Sequence, residues 1–299
     1  MLQKLSALPK QLVAVCRHPL NRGQKLQALG RWARWQVASR VSARPMVVPF
    51  VSGTSLYARA GETGISGNIY YGLAEYEDMA FALHLLRPGD LFVDVGANAG
   101  AYSVLAAGAA GARTIAFEPI AETADRFDAN MRLNRLTALV TLRRVGVGAA
   151  PGVLRFTASS DTVNHVALAH EAAVEVPVET LDQVFETEPP TLMKIDVEGF
   201  EAEVLAGGRQ TLRNPALLAL IVEINDSYQV YGRSLDDVVG PILDAGFAPF
   251  AYDPAMRELR ELPGPNLNSG NTIFIRSADV ARARLRSAPG IKLRSARPH

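Results

Sequence analysis

The sequence predicts an α/β protein with a mostly parallel β-sheet covered by helices on both faces. In the middle of the chain, short apolar segments alternate with helical segments of about 10 to 15 residues, which is the pattern of consecutive βαβ units. A glycine-containing turn follows the first of these apolar segments, and four of the segments end near a carboxylate. Ligands bind such sheets at the carboxyl ends of the strands, so these carboxylates predict a binding site there.

The two ends of the chain are basic and the middle is acidic. Residues 1–61 contain ten Lys and Arg and no acidic residue. From Arg276 to the end of the sequence there are seven basic residues and one acidic residue, Asp279. The part between has 14 basic and 29 acidic residues, a net charge of −15. We therefore expect a basic helical arm at 1–45, a main domain at 46–276 and a basic tail at 277–299.

The arm contains one segment that is typical of an amphipathic helix. In QKLQALGRWARWQVASR, Leu26, Leu29, Ala33 and Val37 fall along one side of a helix. We favour an arm that docks on the acidic main domain, and the alternative is a helix that lies on an anionic membrane. Nucleic-acid binding is not expected, because no known binding module accompanies the charge.

The single cysteine, Cys16, excludes an intramolecular disulfide and fits a reducing compartment. No apolar run reaches the roughly 18 residues that a membrane-spanning helix needs. The predicted location is cytoplasmic, with peripheral attachment to a membrane left open.

Short strands and a helix precede the main alternation. Residues 46–59 predict one or two strands, and 61–72 predict a loop because the segment is rich in glycine and aromatic residues. Residues 75–86 predict a helix. The tyrosines of this region either line a pocket or pack in the core: Tyr70, Tyr71 and Tyr76.

The main alternation then predicts the sheet. The strands of the parallel part are expected at LFVDV (91–95), RTIAFEP (113–119), ALVTLRRVGV (138–147), TLMKIDV (191–197) and ALLALIVEI (216–224). An extension at 152–157 and an edge strand within 174–185 complete this part, and 247–252 pairs with 271–276 in a closing antiparallel hairpin. The helices between them are expected at 99–110, 121–134, 201–212 and 234–246.

The turn after the first strand of this series carries the cofactor hypothesis. Gly96 and Gly100 allow a sharp turn and a close approach to a ligand, but the spacing G-x-N-x-G is not the G-x-G-x-x-G of dinucleotide enzymes. Asp94 suits a cation rather than a pyrophosphate, and Glu118 ends the next strand, where carboxylates bind ribose hydroxyls. A ribose, an ammonium and a sulfonium together describe S-adenosylmethionine. A tight strand–helix connection without a ligand is the structural alternative. The predicted cofactor-binding residues are Asp94, Gly96, Asn98, Gly100 and Glu118.

Four motifs in order, DVGANAGAYS, AFEP, LMKIDVEGFEAEVLAGG and IVEIN, closely resemble the FkbM family of S-adenosylmethionine-dependent methyltransferases. The resemblance covers roughly 48–276. It implies the class I methyltransferase fold, a Rossmann-like, mostly parallel seven-stranded sheet with a reversed hairpin at its end. It also implies O-methylation of a hydroxyl on a sugar, glycolipid, polysaccharide or secondary metabolite, without choosing among these acceptors.

An alkyl hydroxyl is a poor nucleophile, so O-methylation needs a base to take its proton. The candidates are Asp196, Glu198 and His165, and Asp196 is preferred because it follows a central strand. Lys194 lies on the same strand face and pairs with Asp196 in this interpretation, which keeps the carboxylate ionised. In the structural alternative, Asp196 and Glu198 cap the next helix.

The predicted acceptor-binding residues are Asn164, Lys194, Glu223 and Asn225. Asp196, Glu223 and Asn225 also offer the oxygen ligands that Mg²⁺ prefers, but a hydrogen-bonded pocket rim is favoured and no metal is predicted. His84 falls in an apolar helix and is expected to be structural.

Two other functions compete with an O-methyltransferase. A cofactor-binding or scaffold protein without catalysis is the alternative, although the intact Asp94, Gly96, Gly100 and Glu118 oppose it. A nicotinamide oxidoreductase is opposed by the missing third glycine. The acceptor is expected to be a small molecule or glycan, and the oligomeric state is not predicted.

Overall fold

A computed structural model describes residues 2–42, 44–157, 165–168, 171–267 and 270–293. The strands are β1 Met46–Pro49, β2 Ser55–Ala58, β3 Leu91–Val95, β4 Arg113–Phe117, β5 Val140–Arg143, β6 Gly146–Val147, β7 Gly152–Phe156, β8 Val174–Glu179, β9 Leu192–Ile195, β10 Ala219–Glu223, β11 Ala248–Asp253, β12 Glu258–Glu261 and β13 Asn271–Ile275. The α-helices are α1 Leu2–Arg17, α2 Lys25–Val41, α3 Thr63–Tyr71, α4 Tyr76–Leu85, α5 Ala101–Val104, α6 Ala121–Leu133, α7 Leu181–Val184, α8 Glu201–Ala206, α9 Arg209–Arg213, α10 Leu235–Asp244 and α11 Ala278–Ser287.

One large sheet organises the main domain. Its strand order is β12-β11-β13-β10-β9-β3-β4-β5, and the five strands from β10 to β5 are parallel. Strand β13 inserts antiparallel between β10 and β11, which confirms the predicted closing hairpin. The sheet has eight strands rather than seven, because β12 adds an antiparallel edge to β11. The sequence of β12, ELRE, is polar and largely exposed, so it has no apolar pattern that would predict a strand.

The central strands are buried on both faces, as expected for a sheet between two helical layers. Successive residues of a strand point to opposite faces. Phe92 and Ile221 belong to one apolar cluster, whereas their neighbours Val93 and Val222 belong to a second. The sheet therefore separates two hydrophobic cores.

The strand predicted at the edge of the sheet lies elsewhere. Strand β8 pairs antiparallel with β7 and parallel with β6 in a separate three-stranded sheet. Alternating exposed and buried residues along β8 are compatible with either position, so the sequence pattern does not distinguish them.

The prediction of a loop at 61–72 is wrong, because the segment forms helix α3. Ile65 and Tyr70 bury their side chains, and Asn21 Nδ2 donates to Tyr70 O at the end of the helix, 3.1 Å away. Gly72, with a φ of +101°, ends it. Tertiary contacts thus overcome the low helix propensity of the glycines in this segment.

The N-terminal arm forms two helices, and α2 packs on α3. Ala28, Trp35 and Ser39 are the buried residues of α2, and Gln36 Nε2 donates to Tyr70 OH at 2.9 Å. This packing agrees with an arm docked on the main domain, but it uses apolar side chains and neutral hydrogen bonds. Within the part of the chain that is described, no helix has both the length and the apolar character required to cross a bilayer.

The described part of the basic C-terminal tail contains a helix. Helix α11 packs against α4 and β12. Arg87 of the main domain donates to Ser287 Oγ at 3.2 Å, and Arg284 pairs with Asp90 at 2.6 Å. The beginning of the tail is therefore part of the packed structure.

Candidate active site

A cleft of about 340 Å³ opens at the carboxyl ends of the parallel strands. Asp94, Glu118, Asp196 and Glu223 all line it. They come from β3, the end of β4, the end of β9 and β10, which are neighbours in the order β4-β3-β9-β10. The structure therefore brings together the four strand-end carboxylates that the sequence singled out.

The glycine turn is as sharp as predicted, but protein atoms exclude side chains from it. Gly96 and Gly100 have φ angles of +80° and +84°. A Cβ on Gly96 would lie 1.8 Å from the backbone oxygen of Asp196, and one on Gly100 would lie 2.7 Å from the Phe127 ring. The glycines thus let the turn pack against the end of β9 and against α6.

Glu118 holds this turn from the neighbouring strand. Its Oε2 accepts from the backbone N–H of Asn98 at 3.0 Å, and its Oε1 accepts from Ile120 N–H at 2.9 Å. Burial raises the pKa of Glu118 to about 7, although both hydrogen bonds favour the ionised form. Asn98 itself has a φ of +49° and accepts from Ala99 N–H. Glu118 and Asn98 both line the cleft.

Asp94 lies deeper, below the turn. It is 1% exposed, and Ser103 Oγ donates to its Oδ2 at 2.7 Å. Burial raises the pKa of Asp94 to about 6, and the charge of Lys194 opposes that rise.

Lys194 is a buried cation among these carboxylates. It is 3% exposed, it forms an ion pair with Asp196, and its Nζ lies 4.8 Å from the centre of the Tyr102 ring. Burial by itself would lower the pKa of Lys194, but Asp196, Glu75 and Asp94 together hold it above its ordinary value. Lys194 is therefore charged, and the predicted pairing with Asp196 is present.

Three carboxyl groups meet at the mouth of the cleft. Carboxyl oxygens of Asp196, Glu198 and Glu223 lie within 4.8 Å of one another. Burial, together with the negative charges of Asp196 and Glu198, raises the pKa of Glu223 well above its ordinary value. Glu223 also hydrogen-bonds to Asp196, which adds to this rise. Its Oε2 is buried and has no hydrogen-bonding partner among the described residues. This spacing also suits a divalent cation.

The turn between β9 and α8 is held by a residue that sequence reasoning missed. Glu201 Oε1 accepts from Val197 N–H at 3.1 Å and from Gly199 N–H at 3.2 Å. Burial raises the pKa of Glu201 to about 7. Helix α8 has no side-chain cap, and Asp196 and Glu198, which the structural alternative placed there, line the cleft instead. The only sequence signal was a further acid in VEGFE.

Three of the remaining candidates are not among the described residues that line the cleft. His165 Nε2 is 3.2 Å from Glu171 Oε2. Asn225 Oδ1 accepts from Ser227 N–H at 2.8 Å, where it begins a short 3₁₀ turn. Asn164 lies outside the described residues.

His84 is structural, as expected. Its Nδ1 lies 2.6 Å from Tyr252 OH in the buried interface of α4 and β11. Burial lowers the pKa of His84 to about 4, and Arg257 and Arg87 lower it further.

Glu75 is the most informative lining residue that sequence reasoning did not find. Its Oε2 accepts from Tyr102 OH at 2.6 Å and from Asn271 Nδ2 at 2.9 Å. Asn271 also donates to Asp78, whose pKa is raised to about 7 by burial. Glu75 precedes α4 and lies outside the four motifs of the core, in the segment 63–81, which also resembles the family. Its role in the cleft was not predicted.

The tyrosines near α3 face the arm. Tyr71 stacks on His18 with ring centres 4.5 Å apart, and Tyr76 contacts the same ring edge-on. Tyr70 is 5% exposed. Of the two interpretations, packing is the one that the structure supports for these side chains.

The charges of the cleft fit S-adenosylmethionine. Six carboxyl groups line it: Glu75, Asp94, Glu118, Asp196, Glu198 and Glu223. Lys194 is the one cation among the described lining residues. The negative field suits the sulfonium and ammonium groups of that cofactor and repels phosphates. The volume lies near the lower end of the roughly 300–1,000 Å³ that ligand pockets have.

Comparisons with known proteins identify the family. A model of the Methyltransferase FkbM domain matches residues 94–249, more than half of the chain. The hexuronic acid methyltransferase AglP of Haloferax volcanii is 30% identical over 155 residues, which cover 50% of this chain and 62% of that protein. The match thus spans less than two thirds of that relative's length.

Two solved structures are also similar. Methyltransferase FkbM from Methylobacillus flagellatus is 17% identical with a TM-score of 0.43, over 70% of this chain and 52% of that one. An S-adenosylmethionine-dependent O-methyltransferase from Thermotoga maritima is 16% identical with a TM-score of 0.38, over 66% of this chain and 63% of that one. On the extent of the family match, the chain belongs to the FkbM family of methyltransferases, and its methyl donor is S-adenosylmethionine.

Proposed function

We propose that this chain is an O-methyltransferase that methylates a hydroxyl group of a sugar, free or within a glycolipid or polysaccharide. The observation that carries the proposal is the position of Asp196. It lines the cleft, pairs with the buried Lys194 and has a carboxyl oxygen within 4.8 Å of those of Glu198 and Glu223. A carboxylate in this position is suited to accept a proton from an acceptor hydroxyl.

The cofactor end of the cleft is assigned to the turn and Glu118. S-adenosylmethionine supplies a methyl group that is activated by its sulfonium. We assign Glu118 to the ribose hydroxyls, because its carboxylate is fixed in the cleft by two backbone N–H groups and a carboxylate oxygen can accept more than one hydrogen bond. Gly96 and Asn98 form the adjoining wall. Asp94 contributes negative charge for the cationic part of the cofactor.

The acceptor end is assigned to the cluster at the mouth. A carboxylate oxygen of Asp196 would take the proton of the acceptor hydroxyl as the methyl–oxygen bond forms and the methyl–sulfur bond breaks, with S-adenosylhomocysteine as the leaving group. The ion pair with Lys194 holds the Asp196 carboxylate in position before the transfer. Glu223 and Glu198 orient the acceptor, and the unpartnered Oε2 of Glu223 is available for a hydrogen bond with it. Correct placement of the hydroxyl provides much of the rate enhancement in such a displacement.

The charge of the cleft favours a neutral acceptor group. A carboxylate acceptor would enter a site with six carboxyl groups and one cation among its described residues, which is electrostatically unfavourable. The relative named as a hexuronic acid methyltransferase supports a sugar as the acceptor class. We therefore assign the reaction to a sugar hydroxyl rather than to a sugar carboxylate.

The test measures which kind of bond the transferred methyl group forms. The protein is incubated with tritium-labelled S-adenosylmethionine and with methyl glycosides of neutral hexoses or of hexuronic acids, and each product is then treated with mild alkali. A methyl ether survives this treatment, whereas a methyl ester is hydrolysed. We expect alkali-stable label on a neutral glycoside. The exposed Asp244→Asn on α10 serves as a control that keeps activity.

Two results would contradict the proposal. Alkali-labile label on a hexuronic acid would assign the reaction to a carboxylate. If the protein binds the cofactor but transfers no methyl group to either the neutral glycosides or the hexuronic acid glycosides, the proposal of a sugar acceptor loses its support.

A further inference from the structure

Helix α2 has an apolar face that the described residues of the protein leave exposed. Its buried residues lie on the side that contacts α3. With 100° of rotation per residue, a second group of apolar residues falls within an arc of about 80° on the side of the helix opposite to the buried residues. This outward stripe consists of Leu26, Ala33, Val37 and Val41. Leu26, Val37 and Val41 are 85%, 65% and 82% exposed.

Basic residues flank the outward stripe. Arg34 and Arg40 lie on its two sides and are both exposed. No acidic residue occurs in the sequence before Glu62, so every charged side chain of the arm is basic. Apolar residues in a line with arginines on both sides are typical of helices that lie in the interface of an anionic membrane.

A separate apolar groove lies between α2 and β1. Trp35, Ala38, Met46 and Val48 are among its lining residues, together with Arg34. Because Trp35 is on the buried side of α2, this groove is not part of the outward stripe.

We propose that the outward stripe of α2 docks this methyltransferase on the surface of an anionic phospholipid bilayer. The valines and Leu26 enter the boundary between headgroups and acyl chains, and Arg34 and Arg40 contact lipid phosphates. A soluble polyanion would satisfy the arginines and leave the apolar stripe in water, so a bilayer accounts for both features. This inference does not depend on the acceptor or on the catalytic assignment.

The test is co-sedimentation of the intact protein with vesicles. We expect binding to phosphatidylcholine vesicles that contain phosphatidylglycerol, weaker binding at high salt, and little binding to phosphatidylcholine alone. Val37→Glu/Val41→Glu should weaken binding at least about tenfold, because it places charges in the interface. Arg34→Gln/Arg40→Gln should weaken it by about fivefold per arginine.

A matched control and a folding measurement complete the design. Leu243→Glu places the same charge on an apolar residue of α10 that is 46% exposed, and it should bind vesicles like the wild type. All variants should keep the thermal transition and the S-adenosylhomocysteine affinity of the wild type. The proposal is overturned if the valine variant binds normally, or if phosphatidylcholine alone binds the protein as well as the anionic vesicles do.

Discussion

Removal of the Glu118 side chain should weaken cofactor binding. In the proposed complex its carboxylate accepts hydrogen bonds from the ribose hydroxyls. A hydrogen bond to a charged group contributes about 1.5–3 kcal/mol net of the water contacts that it replaces. We expect Glu118→Ala to raise the dissociation constant of S-adenosylhomocysteine by about 10- to 100-fold, which is roughly 1.4–2.8 kcal/mol.

The structure also predicts that Glu118→Gln weakens cofactor binding no less than Glu118→Ala does. Both carboxylate oxygens of Glu118 accept a backbone N–H, from Asn98 and from Ile120. An amide has one oxygen, so its NH₂ group would face one of these donors. The isosteric variant should therefore lose affinity as well, and the turn at Asn98 should be less well ordered.

Isothermal titration calorimetry with S-adenosylhomocysteine measures both variants without turnover. Because the pKa of Glu118 is raised to about 7, wild-type affinity should improve as the pH rises from 6 to 8, and the Ala variant should lose that dependence. Glu122 is exposed on α6, and Glu122→Ala is the control for the loss of one carboxylate. Wild-type affinity in Glu118→Ala, with normal stability, would refute the assignment of this residue to the ribose.

Three further outcomes are expected. Gly96→Ala should lower the free energy of unfolding in urea by at least about 2 kcal/mol, because its Cβ would meet the Asp196 backbone oxygen and its φ is positive. Gly240→Ala, which has open space around it in α10, should stabilise the protein slightly. Equal effects of the two substitutions would contradict the packing of the turn. Stability of the ligand-free protein should fall between about pH 5 and pH 8, because the folded state retains protons on buried carboxyls that the unfolded state releases at lower pH. His84, whose pKa is lowered in the folded state, opposes this trend in the lower part of the range. Urea titrations that show a rise in stability would contradict the raised pKa values. These carboxyls are Asp78, Asp94, Glu118 and Glu201. EDTA should leave methyl transfer unchanged, and loss of activity that Mg²⁺ restores would make the carboxyls of Asp196, Glu198 and Glu223 metal ligands.

The parallel part of the sheet and the meeting of the strand-end carboxylates were predictable from the sequence. The apolar segments before Asp94, Glu118, Asp196 and Glu223 are buried on both faces, and that pattern is local. Since parallel neighbours end at the same edge, the order of the segments was sufficient to place their last residues together. The ion pair of Lys194 followed from the two-residue period of a strand.

Features that depend on tertiary contacts were not predictable. Helix α3 forms in a glycine-rich segment because the arm and its own buried side chains stabilise it. Strand β12 is polar and gains its partner only after the turn that follows β11. Glu75 enters the cleft from the region before α4, and its contacts with Tyr102 and Asn271 are distant in the sequence.

The central claim is that Asp196 accepts the proton of the acceptor hydroxyl. The most direct measurement is the single-turnover rate of methyl transfer by Asp196→Asn at saturating S-adenosylmethionine, with the neutral glycoside that the wild type methylates fastest. Asn preserves the shape of the side chain but cannot take the proton, so we predict a rate about 10²- to 10⁴-fold below the wild type with unchanged cofactor affinity. A wild-type rate in Asp196→Asn would contradict the claim and transfer the assignment to His165.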